Sequence, residues 1–271
     1  MNPYGKDFHR TRRPGKPSRP GGRQTTSATG SDRDGPAILY GWHTVTAALA
    51  NPQRRIRSIT ATENAIRRLA EEKLALPVEP LLVKPDAIAA RLPADAVHQG
   101  LLAEADPLPS PAIEDLKPVG IVLVLDQITD PHNVGAIFRS AAAFAVKAIV
   151  TTARHSPEAT GVLAKSASGA LEHVPLVTVT NLARGLAALK EIGFRVIGLD
   201  SAGSVALEAA GLAAPLALVL GAEGKGLRQL TRETCDAAAR LVLPGAITSL
   251  NVSNAAALAL YIATARSPAP T

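Results

Sequence analysis

The stretch GIVLVLDQITDPHNVGAIFRSA (120–141) decides the fold class. It begins with a continuous apolar run, turns at Asp130-Pro131 and continues with helix-like spacing from Asn133. A short, uninterrupted apolar run is typical of a strand that is covered on both faces, as in parallel sheets. The stretch is therefore predicted to form one strand-helix unit of an α/β domain.

The same kind of apolar run recurs along the rest of the chain. Further strands are predicted at 147–152, 174–179, 194–200, 215–221 and 239–244. Helices are predicted at 133–145, 158–168, 181–192 and 251–265. This alternation favours a parallel sheet with helices on both faces, in a domain covering residues 119–268.

A smaller α/β domain is predicted upstream, over residues 36–106. Its helices are expected at 43–50, 63–73 and 85–91, and its strands at 54–60, 78–83 and 99–105. The proline-rich stretch ADPLPSPAIEDLKP (105–118) follows, which predicts a linker over 107–118. The chain is thus expected to hold two domains in series.

Residues 1–35 differ from the rest in composition. They carry eight basic and three acidic residues, a net charge of +5 out of +6 for the chain, and few large apolar side chains. Such a segment is expected to be disordered and to attract a polyanion, although a purely solubilising role fits the charge equally well.

Composition also excludes several classes of protein. The single cysteine, Cys235, cannot form an internal disulfide, which fits a reducing cytoplasm. No apolar run is long enough for a membrane span, and the start is basic and proline-rich, so neither a transmembrane helix nor a signal peptide is expected. The remaining histidines lack metal-ligand spacing, so no metal site is predicted.

Three clusters of polar and glycine residues follow predicted strands, where open α/β sheets usually bind ligands. The first contains Asn133 and Arg139, and the second is LVLGAEGKGLR (218–228), with Glu223 among glycines. The third is RLVLPGAITSLNVSNAAALALY (240–261), with Ser249 and Asn251 at a helix start. Each cluster alone fits a helix cap or a tight turn. Together they fit a pocket that fixes a ligand by polar groups.

Taken in order, the clusters resemble the motifs of the SpoU/TrmH family of RNA ribose 2′-O-methyltransferases, in the SPOUT superfamily. The first motif, N-x-G-x-x-x-R, is matched by Asn133, Gly135 and Arg139. The second, L-x-x-G-x-E-x-x-G, is matched by Leu218, Gly221, Glu223 and Gly226. The third is matched by Gly245 and by Ser249, Leu250, Asn251, Val252 and Ser253, with Val242 where the family has proline.

The resemblance extends to the first domain. YGWHTVTAALANP (40–52) and HQGLLAEADPL (98–108) are similar to the ends of the substrate-binding domain of ribosomal RNA guanosine 2′-O-methyltransferases. The resemblance implies a SPOUT-type parallel sheet with a C-terminal trefoil knot, an L30e-like substrate-binding domain in front, and a homodimer. It implies S-adenosyl-L-methionine as cofactor, with pocket residues Leu220, Gly221, Gly226, Leu241, Leu250 and Val252.

The resemblance also assigns roles at the site. Arg139 is expected to grip the target phosphate and orient the 2′-hydroxyl, because a guanidinium stays protonated and makes a poor base. Glu223 and Asn133 are expected to hold Arg139, with Ser249 and Asn251 completing the site. KSASGALEHVP (165–175) is similar to a family segment near the RNA. The expected RNA contacts are His43, Arg54, Arg55, Arg139, Lys165 and Ser168.

Two other classes of protein remain as alternatives. A nicotinamide or flavin oxidoreductase would share the sheet, but the chain lacks a G-x-G-x-x-G loop after a strand. A non-catalytic RNA-binding protein with a degenerate methyltransferase domain would be expected to lack some of the polar residues that are present. Within the enzyme class, transfer RNA is the alternative target to a guanosine of 23S ribosomal RNA.

Overall fold

A computed structural model of the chain describes residues 35–154 and 161–266. They belong to one compact unit, Gly35–Thr271. The predicted basic tail therefore lies outside the described residues, except for Gly35. Two sheets, one at each end of the described sequence, account for the two predicted domains.

The first sheet has four strands in the order β1-β4-β2-β3. The elements are β1 (Ala37–Tyr40), α1 (Trp42–Ala50), β2 (Ile56–Ala61), α2 (Glu63–Glu71), β3 (Leu81–Leu82), α3 (Pro85–Ala89) and β4 (Leu101–Ala105). β4 is antiparallel to β1 and β2, while β3 is parallel to β2. Buried residues of β1, α1, β2, α2 and β4 form a separate apolar core, to which Ala164 from the larger domain also belongs, and this core confirms a small α/β domain ahead of the larger one.

The second sheet has seven strands in the order β7-β6-β5-β10-β8-β11-β9, all parallel. Its strands are β5 (Ile121–Asp126), β6 (Ala148–Thr152), β7 (Leu176–Val179), β8 (Arg195–Leu199), β9 (Val205–Ala206), β10 (Leu216–Gly221) and β11 (Ala237–Arg240). Its helices are α4 (Pro131–Ala143), α5 (Gly161–Ala167), α6 (Leu182–Glu191), α7 (Gln229–Thr234) and α8 (Val252–Arg266). The predicted parallel α/β domain is confirmed, and the knot stays a prediction.

Alternate residues of the central strand β5 explain why its sequence is apolar throughout. Leu123 and Leu125 pack with α4 and α8 on one face of the sheet. Val122 and Val124 pack with α6 on the other face. Because both faces are covered, every residue of β5 is buried, as the run at 120–126 predicts.

Two predicted strands were placed wrongly. The strand expected at 78–83 is reduced to Leu81–Leu82, since Pro77 and Pro80 have no N–H for a ladder. The strand expected at 239–244 instead covers Ala237–Arg240. Its ladder with β8 stops at the pair Ala239–Leu199, where β8 itself ends, so the apolar residues that follow are left outside the sheet.

The predicted linker is a packed segment. Ile113 within it is buried in the core beside α6. Ser110 Oγ donates to Leu176 O at 2.9 Å and accepts from Thr178 N at 3.1 Å, which ties the segment to β7. The sequence analysis also missed β1, β9 and α7, three short elements without a clear apolar period.

Candidate active site

The loops that follow β5 and β10 lie side by side at the carboxyl edge of the large sheet. β5 and β10 are neighbours, and their last residues, Asp126 and Gly221, are directly paired. The first predicted cluster follows β5, and the second follows β10. Because parallel strands end at the same edge, the fold brings these two clusters together.

Asn251 links all three clusters through its side chain. Its Nδ2 donates to Asn133 Oδ1 at 2.9 Å and to Glu223 Oε1 at 2.7 Å. Glu223 Oε1 also accepts from Val252 N at 2.9 Å, and Asn251 Oδ1 accepts from Ser253 N at 3.0 Å. These bonds satisfy donors at the start of α8. The three motifs thus meet in one network, although they are far apart in sequence.

A cavity of about 250 Å³ opens beside this network, lined by Glu223, Gly224, Ser249, Leu250 and Asn251. The adjoining segment 241–250 runs outside the sheet and is largely exposed. Within residues 35–154 and 161–266, no hydrogen bond joins this segment to another residue. Its backbone N–H and C=O groups are therefore available to a ligand.

The glycines of the second cluster allow the backbone to fold back on itself. An added Cβ at Gly221 would lie 2.3 Å from the carbonyl carbon of Gly226 and 2.5 Å from Leu227 N. Gly226 itself has φ +65°, in the left-handed region that favours glycine. These contacts explain the spacing of the glycines, because any side chain at Gly221 would displace the turn.

Two buried carboxylates that the sequence analysis missed fix this edge of the sheet. Asp126, with a fully buried side chain, accepts from Arg228 Nε at 2.7 Å and from Arg228 N at 3.1 Å. Asp200 accepts from Ala202 N at 2.9 Å and pairs with Arg232. Asp126 is the last residue of β5 and Asp200 directly follows β8, and an acid at the end of a mainly apolar run was the available sequence signal.

Arg139 stands apart from the Asn251 network. α4 begins two residues before the predicted 133: Asp130 caps it by accepting from His132 N, and Pro131 is the first helical residue. Arg139 lies six residues after Asn133, or about 9 Å along the helix, and is exposed. It lines a second hollow of about 400 Å³ with Ala136, Ser140, Ala143 and Phe144.

The predicted support of Arg139 by Glu223 and Asn133 is absent among the described residues, since both side chains bond to Asn251 instead. The Arg139 side chain makes no hydrogen bond or ion pair in that part of the chain, so its guanidinium is free to meet a substrate.

The predicted cofactor residues fall into two groups. Leu250 lines the cavity itself. Leu220 and Val252 have buried side chains within the core, and Leu241 is half-buried against the same core. Leu220 and Val252 could therefore face a ligand only with backbone groups, and Leu241 could also do so with the exposed part of its side chain.

The predicted RNA contact at Arg54 was wrong. Its side chain is only 4% exposed and forms an ion pair with Glu172, which is 2% exposed. A buried guanidinium with carboxylate partners cannot also reach a phosphate at the surface. His43 and Arg55 are exposed, and Lys165 and Ser168 are half-buried. Burial lowers the pKa of Lys165.

No group of three or more His, Cys, Asp or Glu side chains that could hold a metal occurs in residues 35–154 and 161–266. None of the helices described is both long and apolar enough to cross a membrane.

Two family models match the chain in tandem. Residues 38–111 match the RNA 2′-O ribose methyltransferase substrate-binding domain, and residues 120–261 match the SpoU rRNA Methylase family. The fold and the site thus define a two-domain RNA methylase. The chain belongs to the SpoU rRNA Methylase family, as its motifs predicted, and the oxidoreductase alternative is excluded.

Curated relatives share most of their length with this chain. The 23S rRNA (guanosine-2′-O-)-methyltransferase RlmB of Pseudomonas putida is 38% identical over 234 residues, which cover 82% of this chain and 94% of that protein. The enzyme of the same name from Photorhabdus laumondii is 39% identical over 236 residues, covering 83% and 96%.

Solved structures share the fold. The SpoU methyltransferase AviRb from Streptomyces viridochromogenes has a TM-score of 0.72 and 22% identity, covering 86% of this chain and 90% of its own. An AdoMet-bound rRNA methyltransferase from Sinorhizobium meliloti has a TM-score of 0.71 and 22% identity, covering 84% and 86%.

Proposed function

We propose that the chain transfers a methyl group from S-adenosylmethionine to the ribose 2′-hydroxyl of a guanosine in 23S ribosomal RNA. The observation that carries this proposal is the tandem of both family domains in one chain, aligned over 94% of a relative with that activity. Ribosomal RNA as substrate fits the cytoplasmic location that the sequence predicts. Transfer RNA is the alternative target, and the names of the curated relatives favour 23S ribosomal RNA over it.

The residues at the carboxyl edge fit S-adenosylmethionine. Segment 241–250 offers backbone donors and acceptors without internal partners, which suits the polar edge of an adenine. The close approach of Gly221 to Gly226 holds the turn that carries Glu223 and Gly224 to the cavity wall. Leu250 adds an apolar contact at its wall. These features support Gly221, Gly226, Leu241 and Leu250 as the cofactor site.

When bound, S-adenosylmethionine supplies a methyl group activated by a sulfonium leaving group. The protein then has to bring the ribose 2′-oxygen into line with that methyl group. It also has to make it easier for the 2′-hydroxyl to lose its proton. Arg139 is free and cationic, so it holds the phosphate next to the target ribose and fixes the hydroxyl. The Asn133–Asn251–Glu223 network holds α4 and the start of α8 in a fixed relative position. Ser249 lines the cavity and offers a further hydroxyl contact.

RNA recognition falls to the substrate-binding domain. His43 and Arg55 are the exposed members of the predicted contact set in that domain. Phosphate contacts of this kind give affinity that falls with salt concentration, whichever sequence is bound. Lys165 and Ser168, on the methylase side, lie nearer the domain junction.

A homodimer is also proposed. Large apolar side chains are exposed along segment 241–250 and on α8: Val242 at 60%, Ile247 at 75%, Leu258 at 37% and Tyr261 at 61%. A second copy would cover this surface next to the cofactor site, because exposed apolar patches of this kind mark interfaces. Light scattering after size exclusion should give twice the mass of one chain, and a monomer at micromolar concentration would contradict it.

Arg139→Ala tests the chemistry. Tritium transfer from labelled cofactor to 23S ribosomal RNA should fall at least about 100-fold, the usual effect of removing one electrostatic contact to a reacting group. Cofactor binding by equilibrium dialysis should stay within about twofold, because Arg139 lies outside the cavity near Glu223. Arg184→Ala, another exposed helical arginine, serves as control and should transfer normally. Undiminished transfer by Arg139→Ala would remove Arg139 from the mechanism.

A further inference from the structure

Three sequence stretches that the methyl-transfer site does not use meet at one place. They are YGWHTVTAALANP (40–52), HQGLLAEADPL (98–108) and KSASGALEHVP (165–175). Gln99 Oε1 accepts from Trp42 N at 2.8 Å and from Lys165 Nζ at 3.3 Å. Thr44 Oγ1 donates to Ala164 O at 3.2 Å in a buried position. The stretches thus form the junction between the substrate-binding domain and the methylase domain.

Close backbone packing at this junction leaves no room for a side chain. An added Cβ at Gly161 of α5 would lie 2.6 Å from the Tyr40 ring and 3.1 Å from Ile38 O. At Gly169 it would lie 2.6 Å from Ala47 Cβ and 3.0 Å from His43 O. Such fits arise where two surfaces are complementary, so the domains are docked on each other and not merely tethered.

A buried ion pair crosses the same junction. Arg54 Nη2 donates to Glu172 Oε1 at 2.5 Å, and Arg54 Nε lies 3.1 Å from both carboxylate oxygens. Asn51 Nδ2 donates to Glu172 Oε2 at 2.8 Å, and Arg54 Nη1 donates to Asp106 O at 2.9 Å. Charges this deeply buried are tolerated only when they are partnered, and here Arg54 and Glu172 partner each other across the junction, so the pair fixes how the two domains fit together.

The methylase side of the junction connects directly to the helix that carries Arg139. α5 lies between the substrate-binding domain and α4, and an added Cβ at Gly135 of α4 would lie 2.3 Å from Ser166 Cβ and 2.8 Å from Ala167 N. His132 Nδ1 lies 3.1 Å from Ser166 Oγ. Because α5 is packed against α4, a substrate-binding domain that shifts relative to α5 also shifts relative to Arg139.

We propose that Arg54 and Glu172 are positioning residues that lock the substrate-binding domain onto the methylase domain, so that bound RNA presents its ribose at a fixed place beside Arg139. This inference rests on the proposed function only for its effect on methylation. The lock itself is a property of the protein without RNA. Lys165 takes part in it through Gln99, in addition to any contact with RNA.

A distance measurement tests the lock independently of activity. Spin labels at Ala87→Cys on α3 and Leu230→Cys on α7, both at exposed positions, report the spacing of the two domains by pulsed EPR. Labelled protein is diluted with unlabelled protein to suppress signals between copies. The unmodified junction should give one narrow distance distribution, and both Arg54→Ala and Glu172→Gln should broaden it. Arg67→Ala, an exposed arginine of the same domain, should leave it narrow.

Kinetics with 23S ribosomal RNA then distinguish the lock from a direct RNA contact. If the pair is a lock, Arg54→Ala and Glu172→Gln should each raise KM for RNA about tenfold, with cofactor affinity within twofold, and the double variant should add little. Arg54→Lys should recover part of the loss. If Arg54 instead bound RNA, releasing it by Glu172→Gln would not weaken RNA use.

The inference is overturned if distances stay narrow in Arg54→Ala, or if they broaden while KM for RNA is unchanged. Absence of methylation by the unmodified protein would refute the proposed function, whereas the distance arm would still decide whether the lock exists.

Discussion

Replacing Gly221 by alanine tests the packing at the base of the proposed cofactor site. The new Cβ would lie 2.3 Å from the carbonyl carbon of Gly226, 2.4 Å from its oxygen and 2.5 Å from Leu227 N. All three are backbone atoms, which cannot turn aside as a flexible side chain can. Either the end of β10 or the turn at Gly226 must therefore move.

The cost follows from the kind of clash. Forcing one extra methyl group into a well-packed place costs about 1–3 kcal/mol. If the turn moves, the cost falls on cofactor binding, and about 1–3 kcal/mol corresponds to a 5- to 150-fold weaker affinity. If β10 moves, the same cost lowers the thermal midpoint, by roughly 2–4 °C for each kcal/mol in a chain of this size.

Equilibrium dialysis with labelled S-adenosylmethionine and a thermal melt measure the two effects together. Gly245→Ala is the matched control, since an added Cβ there meets no atom within 4 Å and should leave the thermal midpoint unchanged. Wild-type cofactor affinity and wild-type stability in Gly221→Ala would refute the reasoning about this turn.

Three further predictions concern other groups. Asn251→Ala removes the hydrogen bonds to Asn133 and Glu223 and the cap of α8. The free energy of unfolding in urea should therefore fall by about 1 kcal/mol, and the rate of methyl transfer should fall at least about tenfold. Normal methyl transfer would show that the network is dispensable. Burial raises the pKa of Asp236, but hydrogen bonds from Lys190 and Val196 N and nearby positive charges outweigh it and hold that pKa below the ordinary 3.8. The carboxylate therefore stabilises the fold above that pH, and the difference in melting midpoint between wild type and Asp236→Asn should be present at pH 7 and vanish as the pH falls below about 3.8; a constant difference would contradict it. Burial, together with the charge of Asp236, raises the pKa of Cys235 to about 12, so iodoacetamide should modify the native thiol very slowly at pH 8 and the urea-unfolded thiol rapidly; equal rates would contradict that burial.

The sequence predicted the larger domain well because its strands are buried on both faces. Continuous apolar runs such as 120–126 and 215–221 can be fully buried only as central strands of a parallel sheet. Both were placed within a residue of their observed bounds. Runs next to irregular backbone were less reliable. The apolar residues of 239–244 continue beyond the point where the neighbouring strand β8 ends, so the last of them have no strand to pair with. Hydrophobicity alone does not show where a neighbouring strand ends.

The contacts among the candidate site residues were predicted only in part. The motifs brought Asn133, Glu223 and Asn251 together, as the hydrogen bonds show. The same motifs suggested that Asn133 and Glu223 hold Arg139, but both side chains accept hydrogen bonds from Asn251 instead. Arg54 was misread because its partner, Glu172, is 118 residues away, and only the folded chain brings the two together.

The central claim is most directly tested by methyl transfer to ribosomal RNA. Purified protein, tritiated S-adenosylmethionine and 23S ribosomal RNA lacking its native ribose methylations are incubated, and the labelled nucleotide is identified after digestion. We predict one labelled product, a 2′-O-methylguanosine that resists alkaline cleavage. Label on a base, or no label in 23S ribosomal RNA when the protein binds the cofactor, would contradict the account.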